Sequence, residues 1–132
     1  TEQKSTSQEP LKVLIVDDSI SVRYSVARLV ESCGWTQKQA VDGLDALTQL
    51  ESYNPDVIIL DIEMPKMNGY EFKSNINNRE AYKDIPVVML TSRASEKHQQ
   101  KARDLGVNYY LTKPYEENGF IELLEKIEAE RN

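Results

Sequence analysis

The sequence predicts an α/β fold: a doubly wound parallel sheet of five strands with helices on both faces. Two observations carry the prediction. Residues 13–16 (VLIV), 57–60 (VIIL) and 87–90 (VVML) are short, unbroken apolar runs rich in β-branched side chains. Such runs suit strands buried on both faces. Between them, apolar residues recur at helical spacing, so strand and helix alternate along the chain. Right-handed crossovers then place helices on both sides of a parallel sheet.

The elements follow in order. Residues 1–10 (TEQKSTSQEP) are polar and aperiodic and read as a linker or tail ending at Pro10. The folded domain is expected over 11–129, with 130–132 as a short tail. After the first strand, Val22, Val26, Leu29, Val30 and Cys33 share one helix face, and Gly34 stops that helix. Residues 36–41 (TQKQAV) are polar enough for an edge strand. Leu44, Leu47 and Leu50 mark a second helix. The third strand is followed by an Asn68-Gly69 turn and a helix marked by Phe72 and Ile76. The fourth strand precedes a helix carrying Ala102 and Leu105 and closed by Gly106. In the last strand, 109–112 (YYLT), alternation sends Tyr109 and Tyr110 to opposite faces. Phe120, Leu123, Leu124 and Ile127 mark the fifth helix. Glycine near its start, Gly119, costs about 1 kcal/mol relative to alanine, so this helix is expected to begin late or fray.

The bulk composition excludes several classes. The 132 residues suffice for one domain, and 39% apolar with 29% charged residues is ordinary for a globular chain. A net charge of −6 lacks the footprint of a nucleic-acid binder and is repelled by anionic membrane surfaces. No apolar run approaches a bilayer span and no secretory signal is visible, so a cytoplasmic protein is expected. Cys33 stands alone, which excludes an internal disulfide and suggests a buried thiol in a reducing compartment. The chain begins at Thr1 rather than Met and is expected to be a piece of something longer or to have been processed.

Ligands of an open α/β sheet bind at the carboxyl ends of its strands. Asp17 and Asp18 follow the first strand, Asp61 the third, Thr91 the fourth, and Lys113 and Pro114 the fifth. Three carboxylates, one hydroxyl and one ammonium therefore converge on one rim. Crowded carboxylates resist ionisation unless a cation is present. A hard divalent ion with oxygen ligands, Mg²⁺ above all, answers that need and shares its shell with a phosphate. A carboxylate is also a nucleophile toward phosphorus, giving an acyl phosphate. Such a transfer asks chiefly for positioning and for neutralisation of the equatorial oxygens.

The segments VLIVDDS, VIILDIEMPKMNG, VVMLTS and YYLTKP, in this order, resemble the receiver domains of two-component signalling. The resemblance runs from about Leu11 to about Ile127. It implies a flavodoxin-like (βα)5 fold with strand order 2-1-3-4-5. It implies Asp61 as the phosphoacceptor, with Asp18, Asp61 and the backbone carbonyl of Glu63 on Mg²⁺ and Asp17 acting mainly through water. Thr91 and Lys113 would contact phosphoryl oxygens, Tyr110 would be the aromatic switch residue, and the Lys113–Pro114 bond would be cis. The implied partners are a histidine kinase or histidine phosphotransfer domain as donor and a downstream signalling protein as target. DDSISVR, TSRASEKHQQKARDLGV and the KPYEE stretch further resemble receivers fused to chemotaxis-type hybrid histidine kinases.

Blander readings stand beside these. Asp17, Asp18 and Ser19 are all good helix caps. Thr91-Ser92 and Lys113-Pro114 each suit an ordinary loop or turn. His98, without a second His or a Cys nearby, reads as a solvated residue, and Trp35 as packing at the start of the edge strand. Among other functions, a DxD phosphatase or phosphotransferase would carry its nucleophile after the first strand. A flavin binder would want a hydroxyl- and glycine-rich loop there, and a Rossmann site needs GxGxxG. A pseudo-receiver that only docks partners usually lacks an acid, the lysine or the threonine, and all are present. One expectation goes beyond the resemblance: Glu63 and Arg93, each two residues past a site residue, can pair across the pocket mouth and hinder an attacking water.

Overall fold

A computed structural model of the chain describes residues 9–131. The element order is β1 (Lys12–Val16), α1 (Ile20–Ser32), β2 (Thr36–Ala40), α2 (Gly43–Leu50), β3 (Val57–Leu60), α3 (Gly69–Asn77), β4 (Val87–Thr91), α4 (Glu96–Asp104), β5 (Tyr109–Thr112) and α5 (Glu117–Glu130). All strand pairs are parallel, and the sheet order is β2-β1-β3-β4-β5. The expected linker over 1–10 lies, for residues 1–8, outside the described residues, as does Asn132 of the expected tail.

The unbroken apolar runs are strands for the reason the composition suggests: both sheet faces are covered. On one face Val13, Ile15, Val57, Ile59, Val88 and Leu90 pack with Val26, Ala27 and Val30 of α1 and Phe120, Leu124 and Ile127 of α5. On the other, Leu14, Val16, Ile58, Leu60, Val87 and Met89 pack with residues of α2, α3 and α4, among them Ala46, Leu50, Phe72, Ile76 and Ala102. Tyr109 and Tyr110 join opposite clusters, as strand alternation requires.

The helix ends follow local chemistry. Ser19, Asp42, Asn68, Ser95 and Glu116 each accept a hydrogen bond from a first-turn amide of the helix they precede, and Asn68 with Glu71 forms a capping box. Gly34 and Gly106 follow α1 and α4 with φ of 83° and 86°, a region that disfavours a side chain.

Four expectations need revision. The last helix does not begin late, because Glu116 accepts the Gly119 amide at 2.9 Å and α5 is regular from Glu117. It also runs through Glu130, one residue past the expected boundary, and Arg131 then pairs with Asp56 at 2.7 Å and reaches the Glu9 carbonyl. Cys33 is only half-buried, since it caps the carboxyl end of α1 at the rim of the core. His98 is half-buried too, its ring stacked against Tyr70 at 6.4 Å between centroids and its Nδ1 2.7 Å from Ser95 Oγ. Trp35 does pack as expected, with its Nε1 donating to Glu128 at 3.3 Å.

Candidate functional site

The crossover direction reverses between β1 and β3, and there Asp17 and Asp61 emerge side by side. The Asp17 amide donates to Ala40 of β2 at 3.1 Å, and the Asp61 amide to Val16 of β1 at 3.0 Å. One carboxylate oxygen each from Asp17, Asp18 and Asp61 lie within 4.8 Å of one another. Asp17 is 3% exposed and Asp61 8%, while Asp18 stands exposed at the rim. Helix capping falls to Ser19, whose hydroxyl meets the Val22 amide, so Asp18 is not consumed as the cap.

Lys113 enters from the end of β5. Its Nζ donates to Asp17 Oδ2 at 2.9 Å and approaches Asp61 Oδ2 at 3.5 Å. The other oxygens are held by the backbone: Asp17 Oδ1 accepts from the Ser19 amide at 2.9 Å, and Asp61 Oδ1 from the Ile62 amide at 2.7 Å. The Lys113 amide bonds the Thr91 carbonyl at 2.8 Å, which fixes β5 against β4 at the pocket, and the Lys113–Pro114 peptide is cis.

These surroundings set the charges. Burial pushes the Asp61 carboxyl above its ordinary value, the Asp17 charge adds to the effect, and the Lys113 ammonium opposes it. Burial alone would lower Lys113, but its hydrogen bond to Asp17 and the charges of Asp61 and Asp17 outweigh burial and hold it above its ordinary value. Three acids facing one ammonium leave an excess of negative charge in a half-closed pocket. An all-oxygen, anionic donor set with one open side fits a hard divalent cation such as Mg²⁺.

Glycine is required at one place in this construction. A Cβ on Gly69 would fall 2.2 Å from the Asp61 carbonyl oxygen, so α3 can start this close to the end of β3 only without a side chain. The Gly69 amide uses the proximity to bond the Ile62 carbonyl at 2.8 Å.

Thr91, 1% exposed, ends β4, and its Oγ1 accepts the Arg93 amide at 3.2 Å. The Glu63 side chain pairs with Arg93, as its spacing suggested. Tyr110 lies half-buried, and its hydroxyl donates to the Arg93 carbonyl at 2.5 Å. Burial, with Tyr70 and Asp61 nearby, pushes the Tyr110 phenol up to about 12, so it remains a donor at any working pH. Arg93 thus touches the threonine, the tyrosine and the loop after Asp61 at once. A residue that sequence reasoning passed over is Arg23 of α1, whose Nη1 donates to the Asp17 carbonyl at 2.7 Å. A cation in the opening turns of a helix, where the dipole disfavours it, was the available signal.

A doubly wound sheet whose switch point gathers three carboxylates, a hydroxyl and an ammonium defines a class of α/β domains built to handle a phosphoryl group beside a divalent cation. The family model of the response regulator receiver domain matches residues 13–126, and the chain belongs to that family. Protein PilG of Pseudomonas aeruginosa is 38% identical over 119 residues, 90% of this chain and 86% of that protein. Sensor histidine kinase CheAY of Helicobacter pylori is 36% identical over 105 residues, 78% of this chain but 13% of that protein. Among solved structures, the chemotaxis response regulator CheY4 of Vibrio cholerae matches with a TM-score of 0.83 at 34% identity, over 90% of this chain and 99% of that one. Receiver domains of two-component systems generally bind Mg²⁺ at such an aspartate cluster and interact with histidine kinases or phosphotransfer proteins and with downstream effectors. Among the described residues, no helix is long and apolar enough to cross a membrane.

Proposed function

We propose that this receiver accepts a phosphoryl group from a phosphohistidine onto Asp61, in the cytoplasm, and thereby changes the surface it offers to a downstream signalling protein. The observation that carries the reading is the meeting of Asp17, Asp18, Asp61 and Lys113 at the sheet's switch point. Asp61 Oδ1 is engaged by the Ile62 amide, which leaves Oδ2 as the attacking atom. Its bond to phosphorus forms as the phosphorus–nitrogen bond breaks, and the electron pair departs with the imidazole.

Asp18, Asp61 and the Glu63 carbonyl would hold Mg²⁺ directly, with Asp17 acting through water. Mg²⁺ bound there supplies neutralisation of the phosphoryl oxygens. Asp17 suits an outer role because both its oxygens already accept hydrogen bonds, from Ser19 and Lys113. Lys113 sits near enough to Asp61 to pass to a phosphoryl oxygen, and the Thr91 hydroxyl, which accepts from the Arg93 amide and lies in hydrogen-bonding reach of Asp61, is placed to donate to one as well. A shift of Thr91 toward the phosphoryl group draws on Arg93, whose carbonyl holds Tyr110. The switch is then a population shift between two arrangements of the β4–α4 loop and β5, biased by charge-assisted contacts. Hydrolysis resets it, so the domain assists its own phosphorylation and dephosphorylation rather than turning over a substrate.

The matched stretch makes up 86% of PilG and 13% of CheAY, so similar domains occur nearly alone and within a sensor kinase. A docking module free of phosphorylation has no need to keep the acids, Lys113 and Thr91 together. The test is phosphorylation by acetyl phosphate with and without Mg²⁺, followed by intact mass. A labile, Mg²⁺-dependent adduct on the wild type that Asp61→Asn lacks supports the reading. A folded wild type that binds Mg²⁺ but takes no phosphate from acetyl phosphate or from a phosphohistidine donor overturns it.

A further inference from the structure

We infer that Arg23 is a positioning residue for the acid pocket, holding the peptide that joins Asp17 to Asp18 and so setting where those two carboxylates stand. The guanidinium makes two bonds in two directions. Nη1 donates to the Asp17 carbonyl at 2.7 Å, and Nε donates to Gln39 Oε1 on β2 at 3.1 Å. Gln39 is steadied in turn by its Nε2 donating to Gln37 Oε1 at 3.2 Å.

Asp17 is thereby fixed on every side. Its amide is bonded to Ala40, its carbonyl to Arg23, and its carboxylate to Ser19 and Lys113. A planar trans peptide links the Asp17 carbonyl rigidly to the Asp18 amide, so orienting one orients the other. Asp18 itself is exposed, and its backbone is what Arg23 can control.

Arg23 lies in the opening turns of α1, where the helix dipole opposes a positive charge. The charge-assisted bond to a carbonyl offsets that cost. A forked, planar cation reaches a carbonyl on one side and an amide oxygen on the other, so lysine, a single point charge, replaces it only in part. The polarity of β2 acquires a reason here: Gln39 aims the guanidinium. A cation site needs its ligands held close to their working geometry, and residues that orient ligands without touching the ion change affinity by about 10–100-fold.

The inference rests on the reading of the acid cluster as a Mg²⁺ and phosphoryl site, and the test separates the two. Mg²⁺ affinity is measured by calorimetry on folded wild type, Arg23→Ala, Arg23→Lys and Gln39→Ala, and the rate of labelling by acetyl phosphate is followed against Mg²⁺ concentration. Arg23→Ala is expected to bind Mg²⁺ about tenfold more weakly, with labelling restored at saturating Mg²⁺. Arg23→Lys and Gln39→Ala should show smaller losses of the same kind, and they carry the test if Arg23→Ala does not fold. Unchanged Mg²⁺ affinity in the folded variants overturns the inference alone, whatever their stability. A rate deficit that saturating Mg²⁺ does not repair also overturns it, because the arginine would then act in the chemistry. A wild type that binds no Mg²⁺ overturns this inference and the functional reading together.

Discussion

Lys113 Nζ is bonded to Asp17 at 2.9 Å and stands 3.5 Å from Asp61, so the ammonium rests on the acid that is not the proposed phosphoacceptor. Among the described residues it is the cation that pairs with the buried carboxylates of the three-acid cluster. Lys113→Met should therefore destabilise the metal-free domain by about 2 kcal/mol, since a buried carboxylate left without its partner is costly. Saturating Mg²⁺ should recover much of that loss. Urea unfolding with and without Mg²⁺ measures both, and a loss indifferent to Mg²⁺ would contradict the account.

Asp61→Asn should act in the opposite direction. Burial first, and the Asp17 charge second, lift the Asp61 carboxyl, and removing its charge relieves both. The metal-free variant should gain on the order of 1 kcal/mol, the pattern of a site that sacrifices stability for function. The same variant should lose most of the Mg²⁺-induced rise in melting temperature. Differential scanning calorimetry reads both, and a variant less stable than wild type counts against a strained acid pocket.

Both side chains of the Glu63–Arg93 pair are about half exposed, at 57% and 46%. An ion pair so placed contributes at most about 1 kcal/mol to stability. Its effect should appear in kinetics instead. Glu63→Ala should change the rate at which the phosphorylated domain loses phosphate while shifting the unfolding midpoint little. An unchanged phosphoryl lifetime removes the idea that the pair screens the attacking water.

Lys73 offers a pH signature away from the site. It is 3% exposed, its Nζ donates to Asn77 at 2.7 Å, and Asn77 donates to the Leu105 carbonyl at 2.9 Å. Burial lowers its pKa, and the Asp84 charge opposes this only in part. In the window between that lowered value and the ordinary 10.5, the unfolded chain binds more protons than the folded one. Stability contributed through Lys73 therefore rises with pH across that window. Lys73→Met should be more stable than wild type at neutral pH by on the order of 1 kcal/mol, with the difference shrinking as pH rises toward 10.5. Denaturation at several pH values decides it, and a difference that does not shrink would show that packing, not charge, governs the site.

The strands were legible in the sequence because burial on both faces erases alternation, leaving VIIL and VVML as unbroken runs. The helix ends were legible at Gly34 and Gly106, where backbone conformation selects glycine. The extent of α5 was not, because a side-chain cap from Glu116 outweighs the propensity of Gly119.

By itself the sequence determined which chemistry-bearing residues sit at strand ends, since in a parallel sheet the carboxyl ends of all strands share one rim. Asp17, Asp18, Asp61, Thr91 and Lys113 follow from that rule alone. Tertiary structure decided the finer matters: that Lys113 rests on Asp17, that Arg23 reaches back to the Asp17 carbonyl, that Arg93 bonds Thr91, Glu63 and Tyr110 together, and that Lys73 is buried. The physical reason is reach. A long flexible side chain has many rotamers of similar energy, and only the packed neighbours around it select the one that is kept.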